Sequence, residues 1–249
     1  MERRPNLLLV VTDNQSPWTL GCYGNTEILT PNADRLSSEG AIFTRAFCVN
    51  PVCSPNRATV LTGRIPSQHG IHNWLGTEIP DSQMGSEAYC TIEEFTSLPV
   101  LLSAEGYTCG MSGKWHLGDS MDPQLGFTYW FCKPKGHTHS FYNAEAIWEG
   151  RVYTEERYYL DAITDHALEF INEVAETERP FFLYVGYNGP YGLDQDLRRG
   201  HRNGHTAHYA DKELTCFPRE ECHPWLRQNR DCICNETAMR SYASAVSGV

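Results

Sequence analysis

Short strand-like runs that each lead into polar residues constrain this chain more than any other feature. Asn6 to Thr12 (NLLLVVT) stops at Asp13, Tyr107 to Ser112 runs into Gly113-Lys-Trp-His-Leu-Gly118, and Phe181 to Tyr187 (FFLYVGY) leads into Asn188-Gly-Pro-Tyr-Gly192. The continuous apolar run Asn6 to Thr12 reads as a strand buried on both faces, as in parallel sheets, Tyr107 to Ser112 as a strand, and Phe181 to Tyr187 as a third buried strand. Helical segments stand between them. Thr30-Pro31 supplies a capping hydroxyl and a first-turn proline for a helix ended by Gly40, and Ser97 to Glu105 is closed by Gly106. Leu160, Ile163, Ala167, Phe170, Ile171 and Val174 keep helical spacing within a helix expected over 154–175. Ala41 to Phe47 (AIFTRAF) reads as a further strand, and Asn235 as the cap of a helix carrying Ala238, Tyr242, Ala245 and Val246. Residues 119–153 and 188–234 read as loops over the sheet. The expected fold is α/β with a predominantly parallel central sheet flanked by helices, and such sheets bind ligands at the carboxyl ends of their strands.

Charge and hydropathy narrow the function classes. Lys plus Arg is 20 against 31 acidic residues, a net charge of −11, which disfavours broad binding to nucleic acid or anionic lipid. The longest aliphatic run, Leu7 to Val11, falls far short of the roughly 20 apolar residues of a membrane helix, so no membrane span is expected. The amino terminus passes from Met1-Glu-Arg-Arg straight into a strand, with no signal-peptide pattern, which leaves the compartment open. Ten cysteines are too sparse for a disulfide scaffold in a chain of 249 residues.

Chemistry concentrates around Cys53-Ser-Pro-Asn-Arg57, which precedes Ala58-Thr-Val-Leu-Thr-Gly-Arg64. Pro55 suits a first helical turn and Gly63 a helix stop, so Cys53 is expected at a helix N-terminus, where free N–H groups and the helix dipole favour anions and Arg57 adds a fixed cation. Thiol phosphatase chemistry fails on this reading, because Thr59 stands where its loop needs arginine. Lys114 and His116 are two apart, so an extended loop would project both to one side and Trp115 to the other.

Cys53-Ser-Pro-Asn-Arg57 with Leu61-Thr-Gly-Arg64 resembles the signature of the sulfatases, in the alkaline phosphatase-like superfamily. Asn6 to Asp13, Pro31-Asn-Ala-Asp-Arg-Leu36, Gly113-Lys-Trp-His-Leu-Gly118 and Pro180-Phe-Phe-Leu-Tyr184 are similar in the same order. The resemblance implies an alkaline phosphatase-like sandwich hydrolysing a sulfate ester or sulfamate, with a sugar as a family-level guess for the leaving group. It implies that a formylglycine-generating enzyme oxidises Cys53 to formylglycine, whose hydrate supplies a geminal diol as nucleophile, and that Arg57 stabilises and positions it. Asp13 and Asn14, with residue 53, would hold calcium or magnesium. Lys114 and His116 would contact sulfate and the bridging oxygen, and Tyr191 would stand near the leaving group.

The chain departs from the family pattern in named places. Asp13-Asn14 stands where many sulfatases have two aspartates, and Tyr191 where the loop usually carries histidine. An ordinary tyrosine, with a pKa near about 10, donates a hydrogen bond but needs tuning to act as an acid at neutral pH. The sequence stops before the family's downstream Asp-Asn or Asp-His metal pair, so residues 1–249 read as the N-terminal part of one catalytic domain, inactive alone. Two rival readings are a phosphodiester or phosphonate monoester hydrolase of the same superfamily and a catalytically inactive anion-binding relative. His69 and His72 read as structural, His137 and His139 as loop residues within reach of substrate. Cys216, Cys222, His223, Cys232 and Cys234 lack the tight paired spacing of a zinc motif.

Overall fold

The computed structural model describes residues 4–76, 82–191, 202–220 and 235–249. The chain divides into two compact units, the first from Met1–Val11, Phe47–His137 and Phe141–Tyr187, the second from Thr12–Ala46, Thr138–Ser140 and Asn188–Val249.

The first unit is organised by a sheet of β1 (Leu7–Asp13), β2 (Thr108–Gly113), β3 (Phe127–Cys132), β4 (Ala144–Trp148), β5 (Arg151–Glu155) and β6 (Phe181–Pro190), in the order β1-β6-β2-β3-β4-β5. The last residues of β1 and β6 belong to the second unit. β2 lies parallel to β6, with Thr108 opposite Phe181 and Gly113 opposite Gly186, and parallel to β3. Both faces of β2 are buried. Cys109 and Met111 join Ala58, Leu61, Phe127, Trp130, Phe182 and Tyr184 in the core. Ser112, on the alternate face, donates to the carbonyl of Ile163 at 2.7 Å. Among the described residues this unit has α2 (Cys53–Thr62), α3 (Pro66–His69), α4 (Leu98–Ala104) and α5 (Tyr159–Ala175). α5 buries Leu160, Ile163, Ala167, Phe170 and Val174, the stripe expected from its spacing.

Two sequence expectations are corrected here. The helix expected over 154–175 starts at Tyr159, because Thr154 and Glu155 are paired in β5 with Glu145 and Ala144. The turn of that hairpin is Glu149-Gly150, both at positive φ (50° and 69°), the conformation that matches strand twist in a two-residue connection. Residues 119–153 are therefore not loop alone, since β3, β4 and most of β5 lie there. Ala41 to Phe47 is not a strand. It has no ladder partner among the described residues, and Phe43 and Phe47 are 75% and 87% exposed, so its β propensity has no packing to realise it.

Among the described residues of the second unit, the α-helices are α1 (Pro31–Glu39), α6 (Thr206–Tyr209) and α7 (Glu236–Ser247). Ile28, Tyr209, Leu214, Phe217, Met239, Tyr242, Ala243 and Val246 form its core, with Trp18 packed against it. Asn235 caps α7 as expected, its Oδ1 accepting from the Ala238 N–H at 2.8 Å. Thr30 precedes α1 but does not cap it; its hydroxyl accepts from the Gly21 N–H and donates to the Asp34 carboxylate. No helix of the described residues is long and apolar enough to cross a membrane.

Burial of histidines in the first unit sets a pH dependence. His166, on α5, stacks on Phe131 at 3.9 Å, and its Nδ1 lies 2.8 Å from the Tyr129 hydroxyl and 3.2 Å from Glu169. Burial lowers its pKa, with Glu169, Asp165 and Glu155 opposing the shift. His69 is lowered by burial as well. A pKa below the unfolded value makes the unfolded chain bind more protons, so this stability is present above the ordinary histidine pKa and is lost as pH falls toward the folded value. Urea midpoints measured from about pH 7 to 5 should therefore fall, and His166→Gln should flatten the slope. A midpoint that rises on acidification would contradict this.

Candidate active site

Val52, extended at φ −126° and ψ 140°, turns the chain into α2, and Cys53 is its first helical residue with a partly exposed thiol. The helix is anchored behind it. Ala58 and Leu61 enter the core, and Gly63 ends the helix in the left-handed conformation, its N–H donating to the Thr59 carbonyl at 2.8 Å. Ser54, fully buried, accepts from the Leu75 N–H at 3.0 Å. Position 53 thus stands at a helix N-terminus that packing fixes in place, as the Pro55 and Gly63 signals indicated.

Arg57 is 2% exposed. Its Nη1 donates to the Lys114 carbonyl at 2.6 Å and to the Tyr184 hydroxyl at 2.8 Å, while Nη2 reaches the Tyr187 carbonyl at 3.4 Å. The guanidinium therefore ties α2 to the loop after β2 and to β6. Gly186 makes room for it, because a Cβ there would lie 2.5 Å from the Lys114 carbonyl oxygen and 2.9 Å from Nη1. The Lys114 N–H closes the same junction by donating to the Gly186 carbonyl at 2.7 Å.

Lys114 and His116 are both buried. Trp115 fills the core on Trp130 and Phe127 and donates to the Gly118 carbonyl, as the expected alternation requires. The loop is not extended throughout, however, since His116 has a φ of 57°. The surroundings hold it there. Its Nε2 donates to the Leu75 carbonyl at 2.8 Å, which leaves the lone pair on Nδ1, and its ring lies so close to Gly136 that a Cβ would meet it at 1.9 Å. Both restraints pass through Gln83. Its Nε2 donates to the same Leu75 carbonyl, and its Oε1 accepts from the Gly136 N–H, each at 2.9 Å. Gln83→Met, which keeps the bulk but neither bond, should mix the two neutral tautomers of His116, read from its imidazole nitrogen shifts by NMR. An unchanged Nε2-protonated ring would contradict this.

Asp13, Asn14 and Tyr191 belong to the second unit. The Tyr191 N–H donates to the Asp13 carbonyl at 3.2 Å, and the Tyr242 hydroxyl donates to the Asn14 carbonyl at 2.7 Å. Asp13 and Tyr191 are buried, and Asn14 and Tyr191 have positive φ of 58° and 37°. Asn188, Gly189 and Pro190, expected in a loop, continue β6. Asp13 and Asn14 offer the oxygen donors that calcium and magnesium prefer, although calcium takes roughly six to eight such ligands. No group of three or more His, Cys, Asp or Glu able to hold a metal occurs among the described residues. Asp13 and Asn14 thus match such an ion in donor type only.

Other sequence candidates resolve simply. His69 is structural, with Nδ1 accepting from Ile71 N–H and Nε2 beside the Thr59 hydroxyl. His72 is exposed, and His137 stacks against Trp74. Cys216 is a free thiol whose pKa burial pushes up to about 11, while Cys222, His223, Cys232 and Cys234 lie outside the described residues. Sequence reasoning missed Gln83, Leu75, Gly136, Tyr184 and Gly186. Only Tyr184 carried a signal, a hydroxyl inside a buried strand, which needs a partner.

The sequence model of the Sulfatase family matches residues 5–247. The chain is 33% identical over 190 residues to N-acetylglucosamine-6-O-sulfatase of Bacteroides thetaiotaomicron, covering 76% of this chain and 31% of that protein. It is 34% identical over 203 residues to human N-acetylgalactosamine-6-sulfatase, covering 72% and 38%. Its fold superposes on BT4656, solved in complex with its substrate D-glucosamine-2-N,6-O-disulfate, with a TM-score of 0.67 and 27% identity over 87% of this chain and 39% of that one. The chain thus spans about a third of the length of the curated relatives it matches. With a family match running from β1 through α7, and with the Cys53-to-Arg57 helix locked against the Lys114 loop, the chain belongs to the sulfatase family.

Proposed function

We propose that the protein hydrolyses a sulfate ester carried by a sugar, with residue 53 as nucleophile after its oxidation to formylglycine by a formylglycine-generating enzyme. The observation that carries this reading is the bond from Arg57 Nη1 to the Lys114 carbonyl, which joins the Cys53 helix to the Lys114-to-His116 loop. Formylglycine, when hydrated, supplies a geminal diol at position 53. Asp13 and Asn14 would hold part of the coordination of a calcium or magnesium ion, which when bound would supply positive charge to the site. The chain's own residues do the rest. Arg57, buried and held by Lys114, Tyr184 and Tyr187, keeps a permanent positive charge one turn from residue 53 and stabilises an oxyanion there. Lys114 orients the sulfate as a second cation. His116, with Nε2 donating to Leu75, presents Nδ1 as the nitrogen that takes or returns a proton. Tyr191 donates a hydrogen bond to the leaving oxygen.

The sugar assignment draws on the relatives named for N-acetylglucosamine 6-O-sulfate and N-acetylgalactosamine 6-sulfate. The test is a panel of the 6-sulfates of these two sugars, an aryl sulfate and an aryl phosphonate, offered to protein matured with the formylglycine-generating enzyme. Hydrolysis of a sugar sulfate with the highest kcat/KM is the expected result. Preference for the phosphonate would move the protein to the phosphonate hydrolase reading, and binding without turnover to the inactive one.

A further inference from the structure

The first unit holds a pocket of about 370 Å³ that the proposed chemistry leaves unused, within the size range of small-molecule sites. Its wall runs from His69 to Gly76 and is completed by Tyr89 and Thr91. Trp74 and Tyr89 present aromatic surface to it, 40% and 51% exposed. The indole is not loose, since it lies against His137 at 5.4 Å and so near Gly76 that a Cβ there would meet the ring at 2.4 Å. His72, Asn73 and Thr91 add polar side chains to the lining, and among the described residues no aspartate, glutamate, lysine or arginine lines the pocket.

The walls are fastened to the candidate active site. Leu75 is bonded through its N–H to Ser54, next to Cys53, and through its carbonyl to His116. Thr91 donates from both its N–H and its hydroxyl to the Leu117 carbonyl, at 2.8 and 2.7 Å. The Asn50 amide holds the His72 carbonyl at 3.1 Å. A ligand in this pocket therefore meets a preformed surface whose inner side carries the residues flanking position 53 and the His116 ring.

We infer that this pocket binds an uncharged pyranose ring of a glycan, whose C–H face packs on Trp74 and Tyr89 and whose hydroxyl groups bond to His72, Asn73 and Thr91. Among the described residues no cation lines the pocket to offset the hydration that a second sulfate or a carboxylate would lose there. This deepens the sugar-sulfatase reading and rests on it only for what the rest of the glycan carries.

The test uses a probe without sulfate, an uncharged tetrasaccharide alternating galactose and N-acetylglucosamine, in saturation-transfer NMR on the whole protein. Wild type should transfer saturation to sugar ring protons. Trp74→Ala and Tyr89→Ala should each weaken binding by roughly tenfold, the effect of losing one well-packed aromatic contact, and Trp74→Phe should recover part of it. Amide spectra check that each variant is folded. No transfer in the wild type, or equal transfer in wild type and both alanine variants, overturns the inference. Since the probe has no scissile bond, binding without any sulfatase turnover would sink the proposed function and leave this inference standing; aryl sulfate turnover with no probe binding would do the reverse.

Discussion

Arg57→Ala should lower the unfolding free energy by roughly 3–4 kcal/mol, because it removes two short hydrogen bonds and one long one from a charged donor and leaves their acceptors buried. The loss is not repaired by water, since Arg57 and Tyr184 are both sealed in the interior and the cavity would sit beneath α2. Arg57→Lys should recover less than half of it. A single ammonium on a flexible stem cannot reach the Lys114 carbonyl, the Tyr184 hydroxyl and the Tyr187 carbonyl with the planar fork that serves them now. Urea denaturation of the three proteins measures the differences. A loss below about 0.5 kcal/mol for the alanine variant would mean that the guanidinium does not brace the junction between α2, β2 and β6.

Cys53→Ala is expected to reduce sulfate-ester turnover by at least about 10³-fold while leaving stability near wild type. The two halves of that expectation have separate causes. Residue 53 is partly exposed at the first position of α2, where alanine is at least as good a helix former, so folding loses little. Alanine has no atom that can be oxidised to an aldehyde, so the proposed nucleophile is gone although Arg57, Lys114 and His116 remain in place. Initial rates on a sugar sulfate, paired with a urea midpoint, read both halves. Turnover retained by a folded Cys53→Ala protein would remove residue 53 from the mechanism.

The parts of the fold that were legible in the sequence are those where one physical demand dominates. β2 and β6 are buried on both faces, and the apolar run of β6 announced it. β1 forms the strand its run indicated, but it lies at one end of the sheet and is not buried on both faces, since Leu8 and Val10 are 55% and 49% exposed. α2 carried its own punctuation in Pro55 and Gly63. The hairpin of β4 and β5 was missed because its exposed outer strand reads as polar, Arg151 to Thr154 all facing solvent, and because the cue was a single Glu149-Gly150 pair at the turn. Ala41 to Phe47 failed in the other direction, since a strand-like composition decides nothing without a partner strand.

For the candidate site, the Cys53-to-Arg57 motif and the Lys114-to-His116 loop were visible as local patterns, whereas the means by which they are held were not. Arg57 meets Tyr184 and Lys114 across 127 and 57 positions of sequence, and Gln83 meets Gly136 across 53. Such links have no periodicity and no local signature. The left-handed backbone at His116 is another case, because its cause lies in Leu75 and Gly136 rather than in its neighbours along the chain.

The most direct test of the account is mass spectrometry of the peptide containing residue 53, from protein co-expressed with a formylglycine-generating enzyme. The account predicts the mass of an aldehyde in place of the Cys53 thiol. An unmodified cysteine, under conditions in which a control sulfatase is fully converted, would contradict it and leave position 53 as part of an anion-binding helix terminus without the nucleophile that the proposed reaction requires.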